Sequence, residues 1–164
     1  MNRIALYDYL EADAGDVDAL AAAAFEQFKD AYSDWPVFRD RIAAMSSLSA
    51  HGEIIVARQA DRLLGAVAYV GPHRPKNEFF DPAWPIMRML VVAPGARGLG
   101  VGRLLAHECI NRARRDRATV FALHTSALMA VALPMYQRMG FIWHAAAPDI
   151  HGVAYGIYLK QLQG

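Results

Sequence analysis

The 164-residue chain carries 17 Lys and Arg against 16 Asp and Glu, a formal charge of +1, and 55% of its residues are hydrophobic. That balance argues against nucleic acid or an anionic membrane as the main partner, and no apolar run reaches the roughly 20 residues of a membrane span. The single Cys109 excludes an intramolecular disulfide framework. With no basic-then-apolar leader, the expectation is one domain over residues 1–164 in the reducing cytoplasm.

"RIALYDYL" opens the chain as a strand. After the acidic, cap-forming "EADAGD", Val17, Leu20, Ala21, Ala24, Phe28 and Ala31 recur at helical spacing. "SDWP" predicts a second helix, with Ser33 or Asp34 as cap and Pro36 in the first turn. "EIIVARQADRLLGAVAYVG" holds two β-rich runs around a polar turn at Ala60 to Arg62, a hairpin. "PIMRMLVV" is nearly all apolar, as befits a strand buried on both faces. Next, Gly102, Leu105, Ala106, Cys109, Ile110 and Ala113 share one helical face, so Cys109 reads as a small core residue and not a nucleophile. The basic "NRARRDR" is the charged end of that helix. "ATVFALHTS" is a strand, "MAVALPMYQRMG" a short helix ending at Gly140, and "FIWHAA" and "GVAYGIYLKQL" the last strands. The fold class is therefore mixed α/β, with a strand–glycine turn–helix–strand unit that makes at least one central pair parallel.

The glycine turn is the chemical signal. Glycines at 98, 100 and 102 stand behind Arg97 where a strand gives way to a helix, and each glycine in a helix costs about 0.5–1 kcal/mol relative to alanine. An anion held on backbone N–H groups at a helix N-terminus would offset that cost. The spacing is G-x-G-x-G and lacks a following Lys-Ser/Thr, so neither the dinucleotide nor the P-loop fingerprint is met.

"RMLVVAPGARGLGVGRLL" with "ALPMYQRMGF" resembles the GCN5-related N-acetyltransferase (GNAT) superfamily, whose R/Q-x-x-G-x-G/A hallmark stands here as Arg97, Gly98, Leu99, Gly100, Val101, Gly102. The resemblance implies a mostly antiparallel sheet with one splayed parallel pair and helices on both faces. It further implies that this loop cradles the pyrophosphate of acetyl-CoA, and that the strand ending Leu90, Val91, Val92 carries a bulge and lends backbone groups to the pantetheine arm. Tyr136 matches the family's general acid, which protonates the departing thiolate. Many relatives place a glutamate where Ile86 stands, and an asparagine where Met129 stands. Glu78, Asp81, His124 or a water are the open choices for the base, and Thr125 or Ser126 for the missing polar contact. No metal is implied.

The loop "PHRPKNEFFDPAW" has no helical or strand period; Phe79, Phe80 and Trp84 could wall an acceptor pocket, with Glu78 and Asp81 attracting an ammonium, or the loop could pack its aromatics on the sheet. The expected function is acetyl transfer from acetyl-CoA to a primary amine of a small molecule, a peptide N-terminus or a lysine. The acceptor, the acyl length and the oligomeric state, a homodimer included, stay open. The alternative is a catalytically silent CoA-binding or regulatory module.

Overall fold

A computed structural model describes residues 3–162. β1 (Ile4–Asp8), β2 (Glu53–Gln59), β3 (Arg62–Val70) and β4 (Ile86–Val92) pair antiparallel in sequence order, with α1 (Ala14–Phe25) and α2 (Trp35–Ile42) inserted after β1. Then come α3 (Val101–Arg115), β5 (Val120–Thr125), α4 (Ala132–Arg138), β6 (Ile142–Ile150) and β7 (Val153–Gln161). The strands form one sheet in the order β1-β2-β3-β4-β5-β7-β6, in which β4 and β5 are the parallel pair. The mixed, mostly antiparallel sheet matches the sequence expectation.

Strand alternation divides the interior into two layers. Val17, Leu20, Ile42, Ile54, Ala66 and Ile86 pack under α1 and α2 on one face. On the other, Leu64, Met87, Leu105, Cys109, Ile110 and Phe121 pack under α3 and α4. The predicted apolar face of α3 is therefore the buried one, and Cys109 is fully enclosed within it.

Local departures have local causes. The first helix gives way after Phe25 to a 3-10 turn over Glu26–Phe28, short of the expected Ala31. Asp34 sits at the N-cap of α2 at φ 53°, and its side chain makes no cap bond. The 3-10 helix Met45–Ala50 has no counterpart among the elements expected from sequence. Serine chemistry builds it: Ser46 donates its N–H and Oγ–H to the Asp18 carboxylate at 2.7 and 2.8 Å, and Ser47 Oγ bonds the Ala44 carbonyl. The basic run does more than decorate a helix end. Arg112 donates to Asp8, Glu53 and Glu108 at 2.7, 2.8 and 2.9 Å, tying α3 to the tips of β1 and β2.

Candidate active site

The sheet opens in its middle. β4 and β5 share a register pair only at Ile86–Ala122, and β3 pairs Ala66 with Val91 but Ala68 with Arg88. One residue of β3 thus faces two of β4, Met89 and Leu90, with Met89 at φ 58°. This is a β-bulge, which leaves an extra residue unpaired and bends the strand. β4 pairs with β5 only at Ile86, ahead of the bulge, and a cavity of about 600 Å³ lies against the opening, lined on one strand by Met87 to Leu90 and on the other by Leu123 to Thr125. Backbone groups on such an edge need partners from outside the sheet.

The glycine turn lies at the far end of β4. Gly98 and Gly100 take φ 84° and 81°, conformations closed to most side chains, and a Cβ on either would meet nothing within 4 Å. Gly100 is the N-cap of α3 without a side-chain cap, Val101 is its first residue and Gly102 its second; Arg97 and Leu99 are exposed. The backbone at Gly98 and Gly100, just ahead of the first turn of α3, is therefore open to approach beside an exposed arginine, and a helix N-terminus of this kind suits an anion such as the pyrophosphate of CoA. Only Gly102 lies within the helix; Gly100 caps it.

Tyr136, on α4, lines the same cavity. Its ring packs edge-on against Phe141 at 5.9 Å, and its hydroxyl has no hydrogen-bond partner among the described residues. Burial raises its pKa, with a smaller contribution from Cys109, so the phenol stays protonated. Burial likewise raises the Cys109 thiol, which lies in the same core layer as Tyr136.

The sequence model of the acetyltransferase (GNAT) family matches residues 16–141. The chain belongs to this family. Solved structures agree in fold: a GCN5-related N-acetyltransferase of Rhodopseudomonas palustris, 21% identical, superposes at a TM-score of 0.76 over 99% of this chain and 98% of its own. YncA of Salmonella typhimurium, solved with its cofactor acetyl-CoA, is 18% identical, with a TM-score of 0.70 over 99% and 95% of the two chains. A ribosomal-protein-alanine N-acetyltransferase of Brucella melitensis is 21% identical, with a TM-score of 0.69 over 96% and 99%. No curated protein sequence matches. Acetyl-CoA is the GNAT cosubstrate, and the open turn and unpaired bulge suit it.

This GNAT domain separates the three candidate bases. Glu78 is exposed and lies off the cavity, and Asp81 is an exposed turn residue that accepts the Ala83 N–H at 2.9 Å. His124 lines the cavity. The rings of Phe79, Tyr155 and Phe80 surround it at 5.2, 5.4 and 5.8 Å. Burial and then the Arg88 charge hold its pKa down to about 4. Because the unfolded imidazole protonates first, the folded state loses stability as pH falls from about 6.5 toward 4, by about 2 kcal/mol between pH 7 and 4.5. Urea unfolding at those two values should show that His124→Gln loses this increment; equal acid sensitivity of both proteins would refute a buried neutral histidine.

Ile86 is buried in the core, so the position at which the sequence resemblance implies a glutamate offers no carboxylate. Met129 lines the cavity; Thr125 lines it too, while Ser126 Oγ accepts the Leu128 N–H at 3.1 Å in the turn. Phe79 reaches the cavity, Phe80 is buried behind it, and Trp84 stands edge-on to His144 at 5.6 Å, away from the cavity lining. The sequence reading overlooked Arg41, Asn77 and Arg88, all on the cavity wall. Arg88 was visible as the one charge inside "PIMRMLVV".

Proposed function

We propose that the chain is a single-domain, cytoplasmic N-acetyltransferase that moves acetyl from acetyl-CoA directly to a primary amine. The observation that carries this reading is one cavity holding both the opened β4–β5 edge and Tyr136. Bound acetyl-CoA would supply a thioester: the amine nitrogen bonds to its carbonyl carbon as the C–S bond breaks and the thiolate leaves. Backbone groups of Leu90, Val91 and Val92 would hold the pantetheine arm, and a backbone N–H at the bulge would stabilise the charge that develops on the carbonyl oxygen. Arg97 and the backbone of Gly98, Leu99, Gly100, Val101 and Gly102 hold the pyrophosphate. Tyr136 O–H is directed at the thiolate. Direct transfer is supported by the position of the only thiol, Cys109, buried in the core.

Acetyl-CoA at a hundredfold excess over Kd should add about 2.7 kcal/mol to stability, a rise of about 5–10 °C in Tm. No shift would remove the cosubstrate. Free-thiol release against polyamines, amino acids, aminoglycosides and peptides separates an enzyme from the silent module that Ile86 in place of a carboxylate suggests. A histidine held near 4 takes few protons from an ammonium at neutral pH. The acceptor therefore reacts from its free-amine fraction, and the rising limb of kcat/KM against pH should move with the pKa of each amine tested. A limb fixed at one pH for all amines would assign a protein base instead.

A further inference from the structure

A cation stands in an apolar strand with no counterion among the described residues. Arg88 follows buried Ile86 and Met87 in β4 and is half-buried on the cavity wall. Its guanidinium makes no hydrogen bond or ion pair among the described residues, and the nearby Arg41 of α2 adds a like charge to the same wall. Desolvation, then Arg41, lowers the Arg88 pKa, the mark of a cation without its counterion. Asp149, also on the cavity lining, pairs with neither arginine. Two further polar atoms on this wall, His124 Nδ1 and Asn77 Oδ1, are buried without partners among the described residues. Buried polar groups are ordinarily satisfied, so a wall with an unpaired guanidinium and two orphaned polar atoms is arranged for something that arrives.

The pyrophosphate is not that anion. Arg88 precedes the bulge, and four strand residues at about 3.3 Å each set it about 13 Å before Val92, with the glycine turn further on. We propose that the acceptor is a small amine that also carries an anionic group, carboxylate or phosphate, and that Arg88, supported by Arg41, holds this anion at the mouth of the β4–β5 opening. His124 Nδ1 can donate to the same anion as a neutral imidazole, and Asn77 Oδ1 can accept from the amine. This rests on the acetyltransferase reading above. The chemistry there is unchanged: the N–C bond forms, the C–S bond breaks, the amine's surplus proton goes to solvent, and the anion takes no part in bond making.

The test uses matched acceptors: α- and ω-amino acids beside their carboxamides, and aminoalkyl phosphates beside the amino alcohols. With the wild type, the anionic member of at least one pair should show kcat/KM about 10- to 100-fold higher, and which series wins identifies the anion. Arg88→Gln should bring that member down to its neutral partner, chiefly through KM, with acetyl-CoA affinity retained. Arg41→Gln should weaken the preference a few-fold. The anionic member should also raise the Tm of the wild type and not of Arg88→Gln. Neutral members that react as well, a preference that survives Arg88→Gln, or no anion-dependent Tm rise would each overturn the proposal. So would a loss of stability in ligand-free Arg88→Gln, since an unpaired cation should be dispensable to the fold. Absence of any acetyl-CoA melting shift would instead mark failure of the acetyltransferase reading itself.

Discussion

Tyr136→Phe is expected to lower turnover about 10²-fold while leaving acetyl-CoA affinity and Tm in place. Fold and chemistry separate cleanly here. The ring contact with Phe141 survives the substitution, and the hydroxyl has no hydrogen-bond partner to lose among the described residues. The proton's destination sets the size of the effect. A phenol whose pKa is raised by burial is a weaker acid than the thiolate's conjugate, at about 8.5 in the free thiol, so it stabilises the leaving sulfur by hydrogen bonding and solvent completes the transfer. That places the loss at the lower end of what a missing acid costs. Single-turnover measurement isolates the chemical step; full turnover there would leave Tyr136 as packing, with catalysis resting on positioning and the bulge N–H.

Gly100→Val is expected to weaken acetyl-CoA binding about 10²-fold or more, as one or two charge-assisted bonds from the loop backbone are lost. The fold suffers as well, because a side chain at φ 81° costs about 1–2 kcal/mol even though the space around its Cβ is open. Gly102→Ala is the control. A Cβ at Gly102 would meet Val92, Leu90 and Met135 atoms at 3.7–3.8 Å, ordinary contact, so alanine should add about 0.5–1 kcal/mol of stability and change affinity only a few-fold. Calorimetric titration checks both. If Gly100→Val loses stability but keeps its affinity, the glycine serves the turn alone.

The parts of the site legible in the sequence are those written in a local pattern. The strand, turn and helix from Ile86 to Arg115 follow from an apolar run, positive-φ glycines and an i, i+3, i+4 face, all short-range physics. The bulge at Met89 and Leu90 has no composition signature, since neither residue favours φ 58°, and only the competing pairings of β3 and the departing β5 impose it. The isolation of Arg88 is also a tertiary fact: the charge is visible in one strand, but its lack of a partner depends on α2, β5 and β6 together. Glu78 and Asp81 attract notice as carboxylates near the site in sequence, yet the loop turns them outward and brings Asn77 and Phe79 in.

The single register pair between β4 and β5 has a mechanical consequence. Four strands on one side and three on the other pair along most of their length, but across the seam the sheet is stitched at Ile86–Ala122, with the Ala122 N–H reaching the Pro85 carbonyl at 3.1 Å. A pantetheine arm accepted into the gap would act as a removable seam thread, adding backbone bonds where the two halves of the sheet share only one register pair. Amide hydrogen exchange should read this directly, with protection gained at Leu90 to Val92 and Leu123 to Thr125 when acetyl-CoA is present, while β1 and β6 at the outer edges exchange as before.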